Sequence, residues 1–372
     1  MTGIERTLKA LNFEEVDRIP VAGGLVGHAE FLAEVAGAPD FWTAPRQIAF
    51  EAYRRLRCDA ILGPVLPKHP DTTTRDAAGR PTWFTNEIHT PRFTTPEQVA
   101  EHARTFPTPL EVRRRFDFQK TYDGYVELMK SGQGESGEML FIPHCLGYAP
   151  HFPTGTEEFD HAAFLMACAL YPESVERMFQ VWGEQSRLTF EAVAKATSDH
   201  NLLRLIWIGT DLCDRNGPVL SPALLERLYF PVLARAIAPL KEAGMKVVWH
   251  ADANYKRILA EMIDLGIDGF QGFYEEEGGM ELAGLAQMKA KTGLPLILFG
   301  SISTVRVLPR ADVVGVRREV ARCIHAAAGR GGLLLAPSSS IGPDVPKANI
   351  RAMFEFARSA SPICTVRAVG TV

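Results

Sequence analysis

Short apolar runs recur along this chain, each followed by a longer stretch in which apolar positions return at helical spacing. The runs are RIPVAG (18–23), DAILG (59–63), MLFIP (139–143), LRLIWIG (203–209), KVVWH (246–250), DGFQG (268–272), PLILFG (295–300) and GLLLAP (332–337). They are continuous rather than alternating, the pattern of parallel strands buried on both faces. Between them, residues 174–197 set Val175, Met178, Phe179, Trp182, Leu188, Phe190 and Val193 near helical spacing. Ser221 followed by Pro222 reads as an N-cap with proline in the first turn, opening a helix up to Lys241. Further helices are predicted over 281–291 and 313–328.

Eight such strands alternating with helices predict an α/β fold, a (β/α)8 TIM barrel running over residues 1–372 as one domain. A doubly wound open sheet is the alternative, and no strand is followed by the GxGxxG turn that marks many of them. Pro and Gly turns around TWFTNEIHT, within residues 64–95, predict a β-hairpin inserted after the second strand. Residues 143–156 form a long Pro/Gly/His stretch after the third. Long loops of this kind on a barrel line or cover the active site.

Composition narrows the function classes. With 46% hydrophobic and 23% charged residues, the chain is an ordinary globular one. A net charge of −4 gives no reason to expect nucleic acid or an anionic membrane as partner. No apolar run approaches the ~20 residues that span a bilayer. The opening MTGIERTLKALNF is charged early and lacks a signal-peptide core, so a cytoplasmic location is expected. The six cysteines are scattered without a CxxC pair and are expected to be reduced thiols.

In a barrel the polar residues at the C-terminal strand ends meet in one cavity. Strand four ends in Gly209-Thr210-Asp211, followed by Asp214-Arg215-Asn216, and strand five in His250-Ala251-Asp252-Ala253-Asn254. Strand six ends in Gln271, followed by Glu275, Glu276 and Glu277; strands seven and eight end in Ser301 and in Ser338-Ser339-Ser340. A histidine with carboxylates on adjacent strand ends suits an acid/base pair or a hard-metal site. His250, Asp252 and Asp211 are therefore the expected catalytic residues. His250, Asp252 and Glu275 are the expected metal ligands. His144, His151, Arg215, Asn216, Gln271 and Ser339 are the expected substrate contacts. Plainer readings stand beside these. Asp252 and Asn254 taken singly read as helix caps, Asp214 as a turn residue, and the Glu275–Glu277 run as a solvated loop. His144, Cys145 and His151 do not have the spacing of a recurrent metal motif.

At these residues the chain resembles the uroporphyrinogen decarboxylase superfamily, which also contains cobalamin-linked methyltransferases. ERTLKALNFEEVDRIPV is similar to its N-terminal signature of Arg, Ala-Leu, then Asp-Arg-x-Pro. GPVLSPALLERLYFPVLARAIAPLKEAGMKVVWHADAN is similar to the methyltransferase branch, and DLGIDGFQGF and GGLLLAPSSSIGPDVPKANIRAMFE match the later strands. The resemblance implies a (β/α)8 barrel, and a homodimer is expected with it. The decarboxylases carry an arginine-bearing RQAGRY-type segment after strand one, where this chain has GGLVGHAEFL. Their catalytic Asp follows strand two, where the matching positions are Val65 and Leu66. No activity on uroporphyrinogen is expected. The methyltransferases bind zinc through His-x-Cys and a later Cys. Here the first element is His250-Ala251-Asp252, and the later Cys is replaced at about Ser339.

The leading expectation is a methyltransferase moving a methyl group from a small methoxylated or methylated substrate to a separate corrinoid protein, with a divalent metal, zinc by the resemblance, assisting. No DxHxxG corrinoid motif occurs in the chain, so the corrinoid would be carried by a partner. The alternative is a decarboxylase of a small carboxylated substrate, with Arg215 or Lys68 holding the carboxylate. A third reading is a barrel that only binds a ligand or partner.

Overall fold

The computed structural model describes residues 1–67, 74–75, 81–82, 91–153, 158–273, 275, 280–327 and 330–360. Every apolar run named above contains a strand. In chain order these are β1 (Ala22–Gly23), β2 (Ala60–Leu62), β3 (Leu140–Ile142), β4 (Leu205–Ile208), β5 (Lys246–Ala251), β6 (Gly269–Gly272), β7 (Ile297–Phe299) and β8 (Leu333–Leu334). Helices separate them, giving the α/β succession of a (β/α)8 chain. The insertion after β2 is a hairpin, Thr74–Arg75 pairing antiparallel with Pro81–Thr82. Residues 83–90, the rest of the TWFTNEIHT segment, lie outside the described residues.

The chain forms two compact units. The first comprises Met1–Asn86, Met129–His144 and Gly269–Val372. In it β1, β2 and β3 run parallel, with Ala22 opposite Ala60 and Ala60 opposite Leu140. β6, β7 and β8 form a second parallel run, with Gly269 opposite Ile297 and Leu298 opposite Leu333. Parallel bridges Val21–Leu335 and Val26–Ile341 join the β8 side to the β1 side.

This unit is pinned at its N-terminus by charge. Asp59, only 2% exposed, accepts from Arg6 Nη1 at 2.6 Å, from Arg18 Nη1 at 2.5 Å and Nη2 at 2.9 Å, and from the Val21 amide at 2.9 Å. Arg6 also holds Asp17 through Nε at 2.6 Å and Nη2 at 2.8 Å. The Arg6 and Asp17-Arg18 positions of the N-terminal signature thus fasten the helix Gly3–Leu11 to the start of β2. Arg6 holds the Asp17 carboxyl down to about 2, chiefly by hydrogen bonding. A carboxylate whose folded pKa lies below its unfolded value of about 3.9 adds stability that is complete above that value. Its contribution disappears as pH falls from about 4 towards 2. Asp17→Asn should therefore flatten the acid limb of a stability-versus-pH curve in that window. An unchanged limb would show that Asp17 is not linked to folding.

The second unit comprises Glu87–Leu128 and Cys145–Asp268. β4 and β5 pair parallel, from Leu205 opposite Lys246 to Ile208 opposite Trp249. The helix Pro172–Asp199 packs on the helix Phe230–Glu242, and Gly183 permits the approach: a Cβ there would lie 2.7 Å from Val232 Cβ.

The helices correct the sequence reading at two places. The helix opened by Ser221, whose hydroxyl accepts from the Leu224 amide at 3.3 Å, stops at Leu228 and restarts at Phe230. Pro231 has no N–H to give the Arg227 carbonyl, so the hydrogen-bond ladder is interrupted there. The helix expected over 281–291 is only Leu282–Leu285. The chain then turns at Gly293, in the left-handed region at φ 82°, so that Lys289 bridges Pro295.

Candidate active site

In the second unit the expected catalytic residues sit at the ends of β4 and β5. His250 is the fifth residue of β5, and Asp252 follows the strand at its end. Residues two apart on an extended chain face the same way. Here Nδ1 of His250 and Oδ1 of Asp252 are 3.8 Å apart, with side chains 18% and 19% exposed. That is an ion-pair separation when the imidazole is protonated. The His250 ring meets Trp207 edge-on, with centroids 6.2 Å apart.

Gly209 lets the two strand ends come together. A Cβ on it would stand 2.6 Å from His250 Cβ and 2.9 Å from His250 N. Real Cβ atoms do not approach so closely, so an alanine here must displace His250. Gly209→Ala should cost about 1–3 kcal/mol as overpacking. Because a displacement approaching 1 Å costs about 10²-fold in an oriented site, turnover should fall about tenfold or more in the folded fraction. A folded variant with full turnover would free His250 from this constraint.

Tyr255, which the sequence reading passed over, ties the same two strand ends together. It is 1% exposed. Its hydroxyl accepts from Trp249 Nε1 at 3.2 Å and the Leu212 amide at 3.4 Å, and donates to the Thr210 carbonyl at 3.1 Å. One proton and two lone pairs are all engaged. Asp211, exposed, stands between the two backbone groups so held. Burial drives the Tyr255 phenol well above its ordinary value, so it stays protonated. The detectable signal was a large aromatic with a polar tip five residues past a strand-end histidine.

Several expected residues serve the backbone locally. Asp214 Oδ1 accepts from the Asn216 amide at 2.7 Å in a tight ribbon where Cys213 faces Pro218. Arg215 and Asn216 are exposed at its tip. Asn254 accepts from the Lys256 amide at 3.3 Å, and its own amide reaches the Asp214 carbonyl at 3.0 Å. The plain turn reading therefore describes Asp214, whereas Asn254, expected as a helix cap, closes a turn instead, and the next helix begins at Leu259. His151 lies edge-on to Trp182, centroids 4.9 Å apart. Its loop is anchored by Tyr229, whose hydroxyl donates to the Pro150 carbonyl at 2.9 Å. Burial pushes the Cys145 thiol up to about 12, which leaves it protonated and unreactive.

The first unit holds the remaining expected residues. Gln271 is 1% exposed and donates through Nε2 to the Ser338 carbonyl at 3.0 Å. Ser339 is half-buried beside it in sequence, and His144 is exposed after β3. Glu275 accepts from Arg322 Nη1 at 3.1 Å and Nη2 at 3.0 Å, and also from the Ser301 hydroxyl. Arg322 is shared with Glu319 on its own helix. Glu276, Glu277, Lys68 and Cys364 lie outside the described residues.

Among the described residues the expected donors are not gathered around one point. Glu275 gives both carboxylate oxygens to Arg322, and no group of three or more His, Cys, Asp or Glu side chains is gathered to hold an ion among the described residues. Nor is any described helix long and apolar enough to cross a membrane.

A parallel α/β chain presenting a histidine–carboxylate pair at a strand end defines a (β/α)8 protein with a candidate acid/base site. The sequence model of the uroporphyrinogen decarboxylase (URO-D) family matches residues 154–360, more than half of the chain, and the chain belongs to that family. Among solved structures it is similar to a methyltransferase from Methanosarcina mazei, at 19% identity and a TM-score of 0.60, over 96% of this chain and 99% of that one. At that identity the likeness is one of fold. No curated protein sequence matches the chain.

Proposed function

We propose that this protein is a methyltransferase that moves a methyl group from a small methoxylated or methylated substrate to a corrinoid carried by a separate protein. The observation that carries the reading is the His250–Asp252 pair at the end of β5, backed by Gly209 and held to β4 through Tyr255. The family membership and the fold shared with a methyltransferase support it.

The chemistry follows from the residues. Ether or phenol oxygen is a poor leaving group unless it takes a proton as the carbon–oxygen bond breaks. His250 supplies that proton, and the methyl passes to the acceptor as the bond opens. Asp252, 3.8 Å away, stabilises the imidazolium before transfer. Asp211 lies on the loop that Tyr255 fixes and orients the substrate. No step is assigned to a metal, because the described donors do not assemble one.

A screen tests this. The purified protein is incubated with methoxylated phenols and small methylated compounds, free cobalamin reduced chemically serving as acceptor, and the visible spectrum reports methyl uptake. Enzyme-dependent uptake with at least one compound is expected. Uroporphyrinogen is the opposing arm, where no coproporphyrinogen should form. Decarboxylation of uroporphyrinogen at an enzymatic rate, with no methyl uptake from any compound, would overturn the reading.

A further inference from the structure

A groove of 810 Å³ lies between the helices Pro109–Arg115, Phe118–Ser136 and Pro172–Asp199 and the turn Leu146–Tyr148. Its lining residues all belong to the second unit, and none of them belongs to the acid/base site. Part of the lining is apolar: Val112, Phe116 and Leu128, with Val112 and Phe116 packed on Val181 and Leu188. The polar part is rich in donors. Arg115 and Lys120 are exposed on it, and neither side chain has an ion pair or hydrogen bond among the described residues. Arg113, by contrast, is paired with Glu184 Oε1 at 2.5 Å.

Two lining positions lack a structural reason. A cation is favoured in the last turn of a helix and disfavoured in the first. That accounts for Arg115, which closes its helix, but not for Lys120, which stands in the first turn of Phe118–Ser136. Ser186 is 5% exposed inside the helix Pro172–Asp199, where a serine can return its hydroxyl to the preceding turn. Thr189 does so, to the Gln185 carbonyl at 3.0 Å. The Ser186 hydroxyl has no partner among the described residues, and Ser186 lines the groove. An unpaired hydroxyl in a buried residue is a cost that a bound acceptor removes.

We propose that this groove binds a small organic carboxylate with an apolar aryl or acyl body. Two cations and the carboxylate of Asp117 leave the lining one net positive charge, which a monoanion neutralises. Arg115 offers the planar fork that grips a carboxylate through two parallel bonds. A phosphate is the poorer match, because Asp117 already accepts the Lys120 amide at 2.9 Å at the start of the helix, where a phosphate would otherwise sit. The apolar residues cover the body of the ligand, and the volume lies within the ~300–1,000 Å³ of small-molecule sites. This inference is independent of the catalytic reading.

Titration calorimetry on the full chain tests it, with phenylbutyrate and decanoate as probes and phenylbutyramide and inorganic phosphate as controls. At least one carboxylate should bind with one-to-one stoichiometry, and both controls should bind at least tenfold more weakly. Arg115→Ala and Lys120→Ala should each weaken binding about tenfold, the scale of one charge-assisted hydrogen bond. Gly124→Phe fills the groove without touching a charge. A Cβ at Gly124 meets nothing within 4 Å, so this variant should keep the wild-type far-ultraviolet spectrum and lose binding. His250→Ala should bind as the wild type does. Absence of binding by both carboxylates overturns the proposal. Binding that survives all three groove substitutions, or is lost in His250→Ala, also overturns it by placing the ligand elsewhere. Equal binding of the amide or of phosphate overturns the carboxylate assignment.

Discussion

Asp59→Asn should lower the stability of the fold by about 3–5 kcal/mol, the range seen when one member of a buried ion pair is removed. Asparagine keeps the volume and can still accept the Val21 amide. It leaves Arg6, with a side chain 8% exposed, and Arg18, at 18%, without the carboxylate that both were desolvated to reach. Arg6 keeps Asp17, which softens its loss, whereas the side-chain acceptor of Arg18 among the described residues is Asp59. The cost should therefore fall chiefly on the seam between the N-terminal helix and β2. Urea unfolding followed by far-ultraviolet circular dichroism would measure it. A change below about 1 kcal/mol would mean that the cluster is well solvated and adds no more than a surface pair.

How far the sequence speaks depends on the range of the interaction. All eight strands were legible because a parallel strand buried on both faces reads as a continuous apolar run, as LIWI and the VVW of KVVWHA do. The turn chemistry of Asp214 was legible too, since it closes within two residues, whereas Asn254 read as a helix cap and closes a turn of the same span. What the sequence leaves open is which polar group each strand-end residue meets. Glu275 had the composition of a metal ligand, but its partner Arg322 is 47 residues away. His151 reads as a cavity residue, and the sequence does not show that its ring meets Trp182 edge-on. The Arg6 and Asp17-Arg18 signature carried the family resemblance without showing its purpose, because the fourth residue of the cluster, Asp59, lies outside the motif. Tyr255 was missed for the opposite reason. Its role rests on three hydrogen bonds to one hydroxyl, which no periodicity reveals.

Replacing His250 should remove catalysis while sparing the fold. Its side chain is 18% exposed and lies at a strand end rather than in the strand's buried centre, so its removal empties little packed volume. His250→Ala should keep the thermal unfolding midpoint within a few degrees and lose about 10²-fold or more in turnover, the usual contribution of a positioned acid or base. Asp252→Asn retains the shape but not the charge that steadies the imidazolium, and should lose roughly tenfold. Tyr255→Phe separates positioning from chemistry. It deletes one hydroxyl that the Trp249 indole, the Leu212 amide and the Thr210 carbonyl all use. The Trp249 indole then loses this partner, at a cost of about 1–3 kcal/mol, while the Leu212 amide and the Thr210 carbonyl keep only the 3.0 Å bond between them. The loop bearing Asp211 loosens in consequence, so KM should rise by more than kcat falls, whereas His250→Ala should act on kcat. The measurement is steady-state methyl transfer with whichever compound the screen identifies, alongside thermal unfolding of each variant. A folded His250→Ala protein with near-normal kcat would remove His250 from the reaction. A Tyr255→Phe protein that loses kcat at constant KM would place that hydroxyl in the chemistry itself.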